Sequence, residues 1–214
     1  MLNIASVEKW YLQDNEADAV HDIAHVGRVT AMAGHLAQLE GADLEIVRTA
    51  ALLHDIEGRK EDGGGRARHH LYAAEFAGKL LTEQGWPDVR IAAVQHCIRS
   101  HRFRDESEQP ESIEAKVLFD ADKLDAIGAV GIARAVAYAA QHGEPFYAKP
   151  SKLFLESGQK EAGETHTAYH EYLFKLRKLI DRILTNSGRL VAQERNHFME
   201  AYFRRLEAEI RGEQ

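Results

Sequence analysis

Apolar residues recur at intervals of three and four along most of the chain, which is the spacing that places them on one face of an α-helix. The first such stripe predicts a helix over residues 24–39. Gly41 follows where a glycine commonly ends a helix, and Asp43 is suited to cap the next helix. No segment shows the sustained alternation of apolar and polar residues that is typical of a β-strand. The pattern therefore predicts an all-α fold.

The same spacing predicts further helices after the one that Asp43 begins. They cover residues 72–83, 88–100, 113–141, 165–184 and 190–210. Two stretches interrupt the periodicity: residues 57–66 are rich in glycine and charge, and residues 143–163 contain two of the four prolines. We expect one domain spanning residues 1–214, with its core at 20–140 and additional C-terminal helices at 165–210 packed on that core. Those C-terminal helices complete the core or form a homodimer interface, and both alternatives remain open.

Composition and charge exclude several classes of protein. The formal net charge of −7 argues against a broad nucleic-acid-binding face and against a patch for anionic membranes. The single cysteine, Cys97, cannot form an internal disulfide, which fits a reducing compartment. There is no secretory-type N-terminus and no run of about eighteen apolar residues that would span a membrane. We expect a cytoplasmic protein without nucleic-acid or membrane partners.

Charged and imidazole side chains interrupt the apolar stripes of three predicted helices. His25 extends the first stripe, His54 and Asp55 follow the second, and Asp122 and Asp125 lie on the apolar face of residues 113–141. Each of these residues alone has an ordinary structural interpretation, as a core histidine or as one half of an ion pair. A carboxylate on an apolar face is costly unless it is paired or binds a cation. Three helices that each present such groups favour one buried divalent ion, and the mixed nitrogen and oxygen donors suit Mn, Fe, Co, Ni, Zn or Mg.

Three segments resemble the signature of the HD-domain metal-dependent phosphohydrolases. They are H-V-G-R-V at 25–29, L-L-H-D-I at 52–56 and D-A-D-K-L-D-A-I-G at 120–128, in the family's order and with fitting separations. Shorter matches at 185–188 and 192–195 are similar to a subgroup of small bacterial HD hydrolases. The resemblance extends over most of the chain and implies an HD-domain-like helical bundle.

The resemblance also implies a ligand set. His25, His54, Asp55 and Asp122 would hold one divalent metal, whose bound water would attack phosphorus as hydroxide. Asp125, one helical turn after Asp122, would hold that water or orient a ligand.

Basic residues near the doublet are candidates for phosphate binding. Lys60 lies in the glycine-rich stretch 57–66, which either closes over substrate as a lid or is a solvated loop. Arg28 lies one turn after His25 and either reaches a phosphate or pairs with Asp55.

Three of the four histidines between the doublet and Asp122 are candidate site residues: His70, His96 and His101. Some HD proteins use two histidines in this interval to bind a second metal, and His70 and His96 have suitable positions for that role. In the alternative interpretation, His70 and His101 contact phosphate while His96 packs against its neighbours.

These observations lead to one principal hypothesis and two alternatives. The principal hypothesis is a divalent-metal phosphohydrolase acting on a nucleotide or another small phosphorylated compound, with pyrophosphate release from a nucleoside triphosphate as one version. The first alternative is a di-iron oxygenase that uses His70 and His96 as extra ligands. The second is a non-catalytic regulatory protein that binds a metal or a nucleotide.

Overall fold

The computed structural model describes residues 2–11, 23–56, 68–102 and 108–213. Within these ranges the chain forms helices and contains no β-strand, so the predicted all-α class is confirmed. Lys60, together with the glycine-rich stretch around it, lies outside the described residues. None of the described helices is both long and apolar enough to cross a membrane.

Ten α-helices and one 3-10 helix make up the described part of the chain. The first five α-helices are α1 (Ile4–Tyr11), α2 (Ile23–Glu40), α3 (Leu44–Leu53), α4 (His69–Glu83) and α5 (Asp88–Ser100). The next five are α6 (Ile113–Asp125), α7 (Gly128–Gln141), α8 (Lys152–Ser157), α9 (Ala168–Phe174) and α10 (Asn186–Ile210). The 3-10 helix covers Leu176–Arg182, between α9 and α10.

The boundary between α2 and α3 has the chemistry that the sequence predicts. Gly41 adopts a positive φ of 70°, a left-handed conformation that a side chain would disfavour. The carboxylate of Asp43 then accepts hydrogen bonds from the backbone N–H groups of Glu45 and Ile46, at 3.0 and 3.1 Å. These bonds satisfy donors that the first turn of a helix otherwise leaves without partners. The predicted cap at Asp43 is confirmed.

The single long helix predicted over residues 113–141 is wrong. The chain leaves the helix after Asp125 and starts α7 at Gly128, which has a φ of 77°. A Cβ atom at Gly128 would lie 2.9 Å from a side-chain carbon of Arg195, so a larger residue has no room there. The apolar pattern continues without interruption across this break, and periodicity alone therefore could not reveal it.

The chain divides into two compact units. The first consists of residues 1–122 together with Leu184–Gly188, and the second of residues 123–183 and 189–214. The boundary falls within α6, earlier than the limit of about 140 that we expected for the core. The interpretation of the chain as one domain stays a prediction.

The first unit is organised around α3. Seven of the ten residues of this helix are buried, and it packs against α2 and α5, while α4 and α5 pack on each other. A helix buried nearly all round has little room to shift, because protein interiors are packed as densely as organic crystals. The residues that follow its last turn are therefore held firmly.

A short segment from late in the sequence is tied into this unit by carboxylates. Asp120, fully buried on α6, accepts hydrogen bonds from the backbone N–H groups of Leu184 and Thr185 and from the Thr185 hydroxyl, at 2.6–2.8 Å. Glu40, at the end of α2, accepts two more from Ser187. The segment thereby connects α2 with α6.

The second unit contains α7, α8, α9, the 3-10 helix and most of α10. Its core includes Tyr172 of α9, stacked on Phe203 of α10 with ring centroids 4.4 Å apart. The predicted helix over residues 165–184 is in fact α9 followed by the 3-10 helix, with Lys175 between them outside helical geometry (φ −125°, ψ −57°). The helix predicted over residues 190–210 is confirmed and begins earlier, at Asn186.

Candidate metal centre

The His54–Asp55 doublet lies directly after the last residue of α3. His54 is completely buried, and its Nδ1 donates a hydrogen bond to the carbonyl of Ala51 at 2.8 Å. Because a carbonyl only accepts, the proton of the neutral ring is on Nδ1 and the lone pair is on Nε2. Burial lowers the pKa of His54, which favours this neutral form. Nε2 is buried and has no hydrogen-bond partner among the described residues.

Three other side chains of the first unit point to the same place. His25 Nε2, from α2, lies 3.5 Å from Asp55 Oδ2 and 3.6 Å from Asp122 Oδ1, and His54 Nε2 lies 3.6 Å from Asp55 Oδ2. One ligand atom each from His25, His54 and Asp122 lie within 4.8 Å of one another. The structure therefore brings together all four residues that the HD resemblance implies as ligands.

The donor set suits a divalent metal. Two imidazole nitrogens and two carboxylates are the ligands that Mn, Fe, Co, Ni and Zn accept, and an imidazole held through Nδ1 by a backbone carbonyl is the usual arrangement of a metal-binding histidine. Nε2 of His54 is buried, and the described residues supply no hydrogen-bond donor to its lone pair. Burial raises the pKa of Asp55, but His54 and the other surrounding histidines outweigh it and hold that pKa well below its usual range. A lowered pKa favours the ionised carboxylate, which is the form that binds a metal.

His101 belongs to the same cluster. It caps the end of α5, is buried, and donates from Nδ1 to the carbonyl of Ile98 at 2.6 Å, so its Nε2 also carries the lone pair. That Nε2 lies 3.6 Å from Asp55 Oδ1, and burial lowers the pKa of His101 to about 4. His54, Asp55 and His101 form a second group with ligand atoms close enough to hold an ion. Of the three extra histidines that the sequence suggests, His101 is the one that the structure brings to the doublet.

His69, rather than its neighbour His70, contacts the doublet. Its Nε2 lies 3.0 Å from Asp55 Oδ1, and Arg102 Nη1 lies 3.1 Å from its Nδ1. His70 Nδ1 is buried and has no hydrogen-bond partner among the described residues, and burial lowers the pKa of its ring. The sequence analysis assigned no role to His69. Adjacent histidines at the start of a helix differ by about 100° in direction, and the sequence contains no signal for which one faces the doublet.

His96 forms its hydrogen bonds with residues outside the ligand cluster. Its Nδ1 lies 2.6 Å from Glu108 Oε1, and the backbone N–H of Glu111 donates to its Nε2 at 3.2 Å. Both ring nitrogens therefore have protein partners, and neither is left for an ion or a phosphate. Val89 lies two helical turns before His96 on the same face of α5 and is 77% exposed, so this face is not the apolar one.

Two of the three predicted catalytic residues, Asp125 and Arg28, lie within the described part of the chain. Asp125 is buried in the second unit, where its Oδ2 accepts a hydrogen bond from Arg134 Nη1 at 2.6 Å. Arg28 is half-buried on α2, one turn after His25. Lys60 lies outside the described residues, and the roles of all three stay predictions.

The chain is similar to known HD proteins in sequence and in structure. The family model of the HD domain matches residues 22–127. The protein YpgQ of Bacillus subtilis is 37% identical over 195 residues, which are 90% of this chain and 85% of YpgQ. The chain therefore belongs to the HD-domain superfamily.

Solved structures of the superfamily have the same fold. The crystal structure of YpgQ in complex with ADP has a TM-score of 0.71 at 33% identity, covering 97% of this chain and 98% of YpgQ. A predicted HD-superfamily hydrolase from an uncultured Thermotogales bacterium has a TM-score of 0.67 at 30% identity, covering 96% of this chain and 90% of that one. An HD-superfamily hydrolase from Bacillus thuringiensis has a TM-score of 0.71 at 28% identity, covering 97% and 94%. The predicted HD-domain-like bundle is thus confirmed, and two of these structural neighbours are described as HD-superfamily hydrolases.

Proposed function

We propose that this chain is a divalent-metal-dependent phosphohydrolase that acts on a nucleotide or another small phosphorylated compound. The observation that carries the proposal is the buried Nε2 of His54, which has no hydrogen-bond partner among the described residues and faces two carboxylates and His25. A purely structural histidine in this position would leave a buried acceptor unsatisfied, which is costly. A metal ion gives that lone pair a partner.

In this proposal His25, His54, Asp55 and Asp122 are the ligands. The hydrogen bond from His54 Nδ1 to Ala51 orients the imidazole, and burial favours the neutral form that can donate its lone pair. A divalent metal held there would polarise a phosphoryl oxygen and lower the pKa of a bound water. Two carboxylates, together with two imidazoles that bind a metal in their neutral form, would offset the charge of one divalent ion.

Positive charge beside the ligands supports a phosphorylated substrate. Arg102 approaches His69, which contacts Asp55, so a guanidinium lies next to the ligand cluster. Arg28, on the same helix as His25, is a second cation whose fork of donors matches a phosphate. Lys60 is proposed to contact substrate from the glycine-rich stretch, and Asp125 is proposed to assist the attacking water. The crystal structure of YpgQ in complex with ADP supports a nucleotide as the ligand proposed for this chain.

A second candidate function, a di-iron oxygenase, is favoured by one observation. His54, Asp55 and His101 form a group that overlaps the first one through His54, and Asp55 presents one oxygen to each side. In this candidate function, Asp55 and His101 would hold a second iron ion. His101 and His69 would then replace the His70 and His96 pair that the sequence suggested.

Metal stoichiometry and product release separate these functions. The purified chain is analysed for bound metals, and phosphate and pyrophosphate release are measured with nucleoside di- and triphosphates, sugar phosphates and p-nitrophenyl phosphate in the presence of Mn, Co, Ni or Mg. We expect one ion per chain and metal-dependent hydrolysis of a nucleotide. Two iron ions per chain with oxygen consumption would favour the oxygenase, and metal binding without any turnover would favour a regulatory protein.

Matched variants connect the result to the site. Asp122→Asn removes one proposed ligand, whereas His96→Gln changes a histidine whose ring nitrogens already have protein partners. We expect Asp122→Asn to lose both metal and hydrolysis and His96→Gln to keep both. Equal metal content in wild type and Asp122→Asn would contradict the ligand assignment.

A further inference from the structure

The end of α3 leaves backbone carbonyls that need hydrogen-bond donors. The last turn of any helix has carbonyls without helical partners, and in a buried position each of them has to find a donor. Three consecutive carbonyls, those of Ala51, Leu52 and Leu53, belong to residues that are at most 3% exposed. Ala51 accepts from His54 Nδ1 at 2.8 Å, and Leu53 accepts from the backbone N–H of Ile56 at 3.3 Å. Both donors belong to the doublet region itself.

The donor to the middle carbonyl comes from another helix. The hydroxyl of Tyr11, the last residue of α1, donates to the carbonyl of Leu52 at 2.9 Å across 41 residues of sequence. Burial, and secondly the charge of Asp55, raise the pKa of Tyr11 well above its usual value, so the hydroxyl keeps the proton that it donates. Nothing in the sequence pattern connects Tyr11 with the doublet, and the sequence analysis did not select it.

Tyr11 also has support from helices other than α3. Val7 of α1 is fully buried, and the ring of Trp10 packs edge-on against Phe76 of α4, with ring centroids 5.3 Å apart. The hydroxyl therefore approaches α3 from a fixed support. The hydroxyl binds the carbonyl of Leu52. This residue lies between Ala51, whose carbonyl orients His54, and Leu53, which directly precedes His54.

We propose that Tyr11 is a positioning residue of the metal centre: its hydroxyl holds the last turn of α3 so that His54 keeps its bond to Ala51 and directs Nε2 at the proposed metal. Without the hydroxyl, the buried Leu52 carbonyl would have to take a donor from its surroundings, and the last turn would rearrange to provide one. The bond from Nδ1 of His54 depends on the geometry of that turn. The expected effect of the Tyr11 hydroxyl on metal affinity rests on the proposed metal site. Its expected effect on the orientation of the His54 imidazole does not.

The test uses Tyr11→Phe, which removes the hydroxyl and keeps the ring. In the metal-free protein, long-range ¹H–¹⁵N correlation spectra report which nitrogen of each histidine carries the proton, and the signals of His54 are assigned by their loss in His54→Gln. We expect a pure Nδ1–H form in wild type and a mixture of the two tautomers in Tyr11→Phe. Manganese affinity, measured by electron paramagnetic resonance, is expected to fall about 10–100-fold, as for other residues that orient a ligand.

Two further variants control for a general loss of stability. Tyr147→Phe removes another half-buried tyrosine hydroxyl, which donates to Glu207 in the second unit, and should change neither readout. Replacing Tyr11 with p-aminophenylalanine restores an N–H donor and should recover both the tautomer and the affinity.

The outcomes distinguish this inference from the proposed function. An unchanged His54 tautomer and unchanged manganese affinity in Tyr11→Phe would overturn it, as would a folded p-aminophenylalanine variant that recovers neither. If wild type binds no manganese but Tyr11→Phe still alters the tautomer, the metal site fails while the positioning role stands.

Discussion

Two completely buried histidines, one in each compact unit, show what separates a ligand from a structural residue. His54 lies beside Asp55, and His170 lies beside Glu164. His170 has a partner at each ring nitrogen: Thr167 Oγ1 at 2.8 Å from Nδ1 and Glu164 Oε1 at 3.1 Å from Nε2. His54 has a hydrogen-bond partner only at Nδ1 among the described residues, and its nearest carboxylate oxygen is 3.6 Å from Nε2, which is too long for a hydrogen bond.

The carboxylates differ in the same way. Glu164 accepts hydrogen bonds from the backbone N–H groups of Ser151 and Glu161 and from the Ser151 hydroxyl, each at 2.7 Å, in addition to that of His170. Its acceptor sites are therefore filled, and the network fastens the irregular chain before α9. Asp55 instead faces His54 and His101, each of which has its lone pair on the Nε2 atom that points toward Asp55. A buried histidine next to a carboxylate thus indicates a metal only when a ring nitrogen keeps its lone pair.

The largest expected effect is on metal affinity in a matched pair of variants. His54→Gln removes a lone pair that faces the ligand cluster, and we expect manganese affinity to fall by at least about 100-fold, beyond the usual effect of a residue that merely orients a ligand. His170→Gln should leave the affinity unchanged, because both nitrogens of His170 are already used within the protein. Isothermal titration calorimetry measures both constants. Equal losses in the two variants would remove the distinction between the two histidines.

Metal removal should affect thermal stability next most strongly. An ion present at 100 times its Kd stabilises the folded state by about 2.7 kcal/mol, which for a chain of this size corresponds to roughly 5–10 °C in Tm. We expect a chelator to lower the Tm of wild type and of His170→Gln by this amount in differential scanning calorimetry. The Tm of His54→Gln should not respond, and a response equal to that of wild type would show that the chelated ion is bound elsewhere.

The structural network should respond to acid with a smaller effect of known sign. Hydrogen bonds, first of all that from the backbone of Ser151, lower the pKa of Glu164 from 4.5 to about 2. A carboxyl whose pKa is lower in the folded protein adds stability that is fully present above pH 4.5 and is lost as the pH falls toward 2. Wild type should therefore exceed Glu164→Gln in Tm at neutral pH, and the difference should shrink over this range. A difference that is independent of pH would mean that the charge of Glu164 has no part in the network.

The smallest effect is expected at His96. Its partners Glu108 and Glu111 are exposed, so His96→Gln should lower the free energy of unfolding by only about 1 kcal/mol or less. Manganese affinity should match that of wild type. Urea unfolding and the same titration measure the two quantities, and a clear loss of affinity would return His96 to the list of candidate ligands.

Much of the fold follows from apolar spacing, and the departures have physical causes. The stripes predict α2, α5 and the late part of α10 closely, because each has one buried face. The break at Gly128 was missed because it depends on a left-handed backbone and on the proximity of Arg195, not on polarity. The apolar period persists through Lys175 and therefore predicts one helix over residues 165–184, although the backbone leaves helical geometry at that residue.

The candidate site, like the fold, is predicted by the sequence only in part. Motif spacing and the HD resemblance select His25, His54, Asp55 and Asp122, and the structure brings these four together. His96 is predicted from its position between the doublet and Asp122, but the face of α5 that carries it includes the exposed Val89.

By itself, the sequence determined the helical class, the superfamily and the residue types that a metal requires, because these depend on local periodicity and on motifs within short segments. Only the tertiary structure decided that His69 rather than His70 approaches Asp55, that His101 joins the cluster, and that Tyr11 reaches the end of α3. These choices depend on the rotation of each helix about its axis and on contacts between residues far apart in the chain. A hydrogen bond across 41 residues leaves no periodic signal, and its donor becomes visible only when the carbonyls of a buried helix end are each assigned a partner.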